Sequence, residues 1–267
     1  MFRLFFLSTI LCFIGCASLP AHYIDLNDHA SLSFDTVLSR IAEKRVIFIG
    51  EIHGTSSIHL LQLEVIKHLK QSGKEVIVAL EAFPITRQEL LNTWIEGSLN
   101  EHDFQQAYKP NWSIPYHYYE EIFNFAREQH IPLLAINAED TMIRHVSKQG
   151  LQVVSEDLLQ KVKFAGCSTD GQYKEIVDIT YHASEFPFFC EGQRLRDTIM
   201  AFTIAQAIRG NDCAVVVLAG VAHSSKIAVP RILANYGEIT YTVLLPNEVN
   251  YLIKRASDKS IADYIWY

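Results

Sequence analysis

The sequence predicts an α/β fold, a mainly parallel sheet flanked by helices with a small helical subdomain inserted into it. Three observations predict this. Four short apolar runs rich in β-branched residues show little alternation, as strands covered on both faces do. Helical patterns separate the first three runs, which indicates right-handed βαβ units. Between the third and fourth runs lies far more chain than one crossover needs.

The first run is 45–49 (RVIFI), preceded by a helix expected over 33–43 with Ser33 as N-cap and Phe34, Val37, Leu38 and Ile41 at helical spacing. A second helix over 58–69 repeats Leu61, Val65 and Leu69 and ends at Gly73. It feeds the second strand, 75–80 (EVIVAL). Residues 100–119 form an excursion rich in Tyr, Trp and His, before a helix over 120–129 and the third strand, 132–136 (PLLAI). Residues 139–209 read as several helices, including one over 191–209. They divide the α/β domain into the segments 16–138 and 210–267. The fourth strand is 214–219 (AVVVLA), and a fifth, 239–245 (ITYTVLL), alternates in part.

The 267 residues carry 23 Lys+Arg against 30 Asp+Glu, a formal net charge of −7. An acidic chain without basic clusters argues against nucleic acid as a partner, because phosphate contacts need cations gathered on one face. Residues 1–14 (MFRLFFLSTILCFI) hold one basic residue and then an apolar run too short to span a bilayer, the proportions of a signal peptide. Gly15-Cys16 at its end resembles a lipoprotein box, although Phe13 stands where Leu is usual. Residues 1–15 are therefore expected to be a lipoprotein signal peptide, with Cys16 lipidated and holding the domain at a membrane. An ordinary cleaved signal is the alternative. Ala17 and Ser18, with no Asp after the Cys, favour the outer membrane of a Gram-negative bacterium. Of the remaining cysteines, Cys213 opens an apolar strand and reads as a buried thiol. Cys167 and Cys190 can pair in an oxidising compartment, which spacing alone does not decide.

Chemistry-bearing residues follow the strands. After the first come Gly50-Glu51-Ile52-His53, after the second Glu81, after the third Asn137 and Glu139, and after the fourth Gly220-Val221-Ala222-His223. Residues just past parallel strands share one edge, where α/β proteins place ligand sites. Glu51, His53, Glu81 and His223 are thus expected to converge. Two imidazoles and two carboxylates suit a divalent metal, held by His53, His223 and Glu51, or a general base oriented by an acid. The plainer reading is a buried polar network satisfying strand-end backbone groups. His59 reads as a cap or surface residue, or as a further group facing the crevice. Arg196 and Asp197 interrupt an apolar helix and read as an internal salt bridge.

The segments GEIHGTSSIHLLQ (50–62), ALEAF (79–83), QRLRDTIMA (193–201) and AGVAH followed by Pro230-Arg231 resemble the ChaN family of iron-regulated bacterial lipoproteins. The likeness spans residues 35–235. It implies haem binding in an uptake system, with homodimers enclosing haem, iron held by Tyr and propionates held by His and Lys. An outer-membrane haem receptor is an implied further partner. The paired GxxH motifs are also similar to a wider superfamily of Tiki-type metalloproteases and erythromycin esterases, whose strand-end His and Glu are the working groups. By position these are Glu51, His53, Glu81 and His223, and a metal-dependent hydrolase is the alternative function.

No CxxCH is present, so haem would be noncovalent. Tyr is an established axial ligand to haem iron, and Tyr cluster here beside His and Lys. The iron-ligand candidates are Tyr108, Tyr181, Tyr116 and Tyr173. The propionate candidates are Lys109, His117, Lys174 and His182. Tyr119 sits where an amphipathic helix begins and reads as structural, and the run 186–190 (FPFFC) suits a haem or dimer contact as well as core packing.

Overall fold

In a computed structural model, residues 18–167, 170–180, 186–249 and 261–267 are described. The expected lipidation site Cys16, and Tyr181 and His182, lie outside them. Helix α1 (Phe34–Ile41) is N-capped by the Ser33 hydroxyl, which accepts from the Thr36 N–H. Its Val37, Leu38 and Ile41 are buried. The predicted strands form β3 (Val46–Glu51), β4 (Val76–Pro84), β5 (Leu133–Asn137), β6 (Ala214–Gly220) and β7 (Tyr241–Pro246). Three short strands escape the apolar-run reading: β1 (Tyr23–Asp25), β2 (Ser31–Leu32) and β8 (Tyr264–Trp266). With two or three residues each, they carry no pattern to read.

The eight strands form one sheet in the order β2-β1-β8-β7-β3-β6-β4-β5. From β8 to β5 every pairing is parallel, and β1 and β2 add an antiparallel edge. The apolar runs lack alternation because both faces are covered. Ile47, Ile49, Val78, Leu80, Val216 and Leu218 join one core, while Val46, Phe48, Ala79, Val215 and Val217 join the other. The first core is roofed by α1 together with α2 (Ser56–Gln71), α3 (Gln88–Ile95), α4 (Glu101–Tyr108) and α5 (Glu120–Glu128).

Among the described residues between β5 and β6 are four helices, α6 (Asp140–Gln149), α7 (Glu156–Lys161), α8 (Gly171–Thr180) and α9 (Phe189–Ala207). Helix α9 has two allegiances. Its Met200, Ala201 and Ile204 cover the second sheet face, while Leu195 and Ile199 form a small core with α6 and Val162. The crossover helix is therefore the floor of the helical insertion. Two short helices, α10 (Val221–Ser224) and α11 (Val229–Leu233), follow β6. Cys167 and Cys190 are bonded, with Cα atoms 5.8 Å apart, and Cys213 is a buried free thiol. Among the described residues no helix is long and apolar enough to cross a membrane.

Candidate functional site

The carboxyl ends of β3, β4 and β6 meet where β6 lies between β3 and β4, at the reversal of strand order. Glu51 is the last residue of β3, Glu81 lies within β4, and His223 lies in α10 directly after β6. Close approach at this edge requires glycine. A Cβ on Gly50 would fall 2.4 Å from Leu245 Cδ2, and one on Gly220 would fall 3.2 Å from His53 Cε1 and Nε2.

Glu51 organises the first half of the site. Its Oε1 accepts from His53 Nδ1 at 2.7 Å and from the Tyr119 hydroxyl, while Oε2 accepts from Gln62 Nε2 at 2.8 Å. Because the Gln62 amide nitrogen is used in that bond, its Oε1 is the acceptor for His59, whose Nδ1 donates at 3.0 Å. Burial alone would raise the Glu51 carboxyl, but His53 and His59 and the Tyr119 hydrogen bond hold it below its ordinary value. Burial opposes a charge on His53, and the hydrogen bond to Glu51 with the nearby Glu81 outweighs it, so the ring titrates above its usual range. For His59 burial wins and the pKa falls. Trp112 closes one side, edge-on to His53 at 4.9 Å between ring centroids, and its Nε1 donates to the Tyr119 hydroxyl.

The second half centres on His223. Its Nδ1 pairs with Asp197 Oδ1 at 2.5 Å, and its Nε2 lies 3.5 Å from Glu81 Oε1. Asp197 Oδ2 accepts from the Tyr173 hydroxyl at 2.7 Å. Glu81 Oε2 accepts from the Gly220 N–H at 2.7 Å, and Asn137 donates to the Glu81 carbonyl. Burial works against protonating His223, and the charges of Asp197 and Glu81 prevail, raising its pKa. The four expected residues Glu51, His53, Glu81 and His223 thus share one edge. They are drawn together as hydrogen-bonded pairs and not as a metal cage. Among the described residues no three His, Cys, Asp or Glu side chains are grouped to hold a metal ion.

The structure corrects several sequence expectations. Arg196 and Asp197 do not pair, since adjacent helical residues point apart. Arg196 reaches Asp140 at 2.7 Å, and Asp197 belongs to His223. Tyr119 belongs to the site, as do Gln62 and His59, which is 4% exposed. Tyr108 is not an open phenol. It lies in an aromatic core with Phe83, Tyr116 and Phe123, and its hydroxyl donates to the Ile114 carbonyl at 2.7 Å. Tyr116 is in the same core, its hydroxyl without a partner among the described residues. Burial pushes both phenols up, away from the phenolate that would ligate iron. Tyr173 is buried and committed to Asp197. Lys109, His117 and Lys174 are exposed, the first donating to Gln106 and the second lying on the Tyr118 ring.

A family model described as "Haem-binding uptake, Tiki superfamily, ChaN" matches residues 37–233. The fold matches the structure titled "Cofacial heme binding to ChaN of Campylobacter jejuni", with a TM-score of 0.72 and 18% identity over 91% of this chain and 95% of that one. It also resembles a mutant of the erythromycin esterase EreC in its open conformation, with a TM-score of 0.52 and 14% identity over 84% of this chain and 76% of that one. A relative in sequence is the chloroplastic protein RETICULATA-RELATED 5 of Arabidopsis thaliana, 21% identical over 86% of this chain. The chain spans 35% of that relative's length. With the family model covering most of the described α/β domain, the chain belongs to the ChaN haem-binding uptake family of the Tiki superfamily.

Proposed function

We propose that this is a lipid-anchored haem-binding protein of a bacterial haem or iron uptake system, binding haem noncovalently between two copies of the chain. The match to the haem-binding uptake family over residues 37–233 carries the reading. Haem needs an apolar face, an axial ligand and cations for its propionates. The start of α9 fits the first and last needs. Phe188 is 42% exposed and lies against Gly150, and Val153, three residues on, is 40% exposed. Lys148 sits 5.2 Å from the centroid of the Phe186 ring. With Tyr108, Tyr116 and Tyr173 committed to the interior, Tyr181 is the residue we assign to iron, with Lys174, His182 and Lys148 as propionate partners. Lipidation at Cys16 in the outer membrane, and delivery from an outer-membrane haem receptor, complete the proposal. The Cys167–Cys190 bond suits the oxidising side of such a membrane.

The test is a hemin titration followed by visible spectroscopy and sedimentation. A ferric tyrosinate spectrum, a shift from monomer to dimer with hemin, and loss of both in Tyr181→Phe are expected, because a shared ligand links binding to assembly. An unchanged monomer at saturating hemin overturns the shared site. A second reading rests on His53. Held by Glu51 and open on one side, it has the arrangement of a general base, and acid–base hydrolysis at the strand ends is its chemistry. Ester hydrolysis lost in His53→Ala with hemin binding intact would favour it.

A further inference from the structure

Two clefts adjoin, the first at the end of the sheet opposite the strand-end site and the second running from it along the sheet edge to the carboxyl ends of β4 and β5. One, of about 520 Å³, is lined by Arg45, Lys161, Lys163, Arg209, Glu238 and Tyr236 among others. The other, of about 440 Å³, runs along edge strand β5 and is lined mainly by apolar side chains, among them Ile85, Leu134, Met142, Leu158, Ile199 and Phe202. Lys161, Phe202 and Gln206 line both, so the clefts meet at these residues. Both volumes fall in the range of small-molecule sites.

The charge at the junction is unusual for a chain of net charge −7. In the first cleft four cations face a single carboxylate, Glu238, with Glu139 in the second, and none of the four cations forms an ion pair among the described residues. Arg45 is tied to backbone carbonyls of Ile208, Asn211 and Cys213 and, among the described residues, to no carboxylate within ion-pair distance. Lys161 lies 5.8 Å from the Phe202 ring centroid and Lys163 lies 5.6 Å from that of Tyr236, while the two rings meet edge to face. The two ammonium groups therefore stand on an aromatic shelf, Lys161 where the clefts meet and Lys163 beside it in the first cleft, where it also donates to the Asn235 carbonyl at 3.1 Å. That shelf holds them where an anion entering beside an apolar body would meet both.

We propose that the joined clefts bind a single-chain anionic amphiphile, a long-chain fatty acid, with its carboxylate at Lys161 and Lys163 and its chain along β5. Concave clefts of this size suit one detached molecule and not the flat surface of a bilayer. Haem fits them less well. The linings hold no His or Cys, and their one Tyr, Tyr236, donates its hydroxyl to the Val162 carbonyl at 2.5 Å. The proposal is independent of the haem reading.

The test uses a dansyl-labelled undecanoic acid as a fluorescent probe on the whole protein, displaced by laurate or by its neutral methyl ester. Laurate should displace it about tenfold better than the ester. The exposed double variant K161E/K163E should weaken the probe by about tenfold, and Ile85→Glu, at the apolar end, should weaken it as well. Three results overturn the proposal: equal displacement by acid and ester, a K161E/K163E protein that binds as the wild type does, or a probe that reports only lipid vesicles. Stoichiometric displacement by hemin would assign the clefts to haem instead and equally overturn it.

Discussion

The two GxxH motifs end in the same residue type at the same sheet edge, yet their histidines live in different surroundings. His53 takes its carboxylate from its own strand end, two residues back, and its side chain remains 35% exposed. His223 takes its carboxylate from α9, 26 residues earlier, and its side chain is 8% exposed. The open pair is local, with a buried carboxylate and an imidazole that water reaches, and the closed pair is tertiary and dry on both sides. Glu51 keeps the Tyr119 and Gln62 donors when a water-exposed imidazole leaves it, whereas a fully buried pair is costly to leave half-made. The difference teaches that the open pair is the half that solvent can reach. The closed pair holds α8, α9 and α10 together around it.

Removing the carboxylate from the closed pair should therefore have the largest effect. Asp197→Ala leaves a buried imidazole and the Tyr173 hydroxyl without their acceptor, and should cost about 3–5 kcal/mol in urea unfolding at neutral pH. Removing the imidazole of the open pair, His53→Ala, leaves the buried Glu51 carboxylate its Tyr119 and Gln62 donors and should cost less, about 1–2 kcal/mol. Comparable losses in the two variants would end the distinction.

Next in size is the covalent tie. The Cys167–Cys190 bond closes a loop of sequence separation 23 that contains α8 and hence Tyr173, the residue supporting Asp197. Replacing both cysteines by Ser should cost about 3 kcal/mol through the entropy of the unfolded chain. Amide exchange should quicken in α8 and leave the end of β3 unchanged. Equal quickening at both places would mean that the two pairs form one cooperative unit.

How far these features could be read from sequence follows the same division. The open pair was legible because Glu51 and His53 sit two residues apart after an apolar run, and both GxxH motifs marked the strand exits. The partners that complete the site were not. Asp197, Tyr119 and Gln62 come from α9, the turn before α5, and α2, and each reads locally as a salt bridge, a helix-start residue or nothing at all. Spacing within one element predicts its neighbours, while contacts made by tertiary packing leave no local signal. The aromatic excursion misled for a related reason. Tyr108 and Tyr116 have the composition of a ligand loop, but Trp94, Phe104 and Phe123 gather them into a core.

Where the halves touch, the expected effect is smaller. Gly220→Ala would place a methyl 3.2 Å from the His53 ring and 3.6 Å from Glu81 Oε2. The ring has solvent on its far side and can give way, so a cost of about 1–2 kcal/mol is expected. Once displaced from Glu51 and Glu81, His53 should titrate lower than in the wild type by proton NMR, with His223 unmoved. A shift in both would show that Gly220 positions the pair as one.

The smallest effect is the pH dependence that separates the two histidines. Both have folded pKa values above their unfolded values. Each therefore contributes stability that is complete below the ordinary histidine pKa of about 6.5 and is lost as pH rises through the folded value. Glu51, held low, contributes stability present above its unfolded pKa and lost as pH falls through the folded one. His59, also held low, makes stability rise with pH just below 6.5, the opposite direction to His53 and in an adjacent window. Stability measured from mildly acidic to mildly alkaline pH should thus pass through a maximum and decline on the alkaline side. Water screens the exposed His53, so His53→Asn should leave most of that decline in place. His223→Asn should flatten it, because the buried pair carries the larger share. Unfolding midpoints across the range for both variants decide this: a decline reduced equally in the two would mean that exposure does not distinguish the pairs.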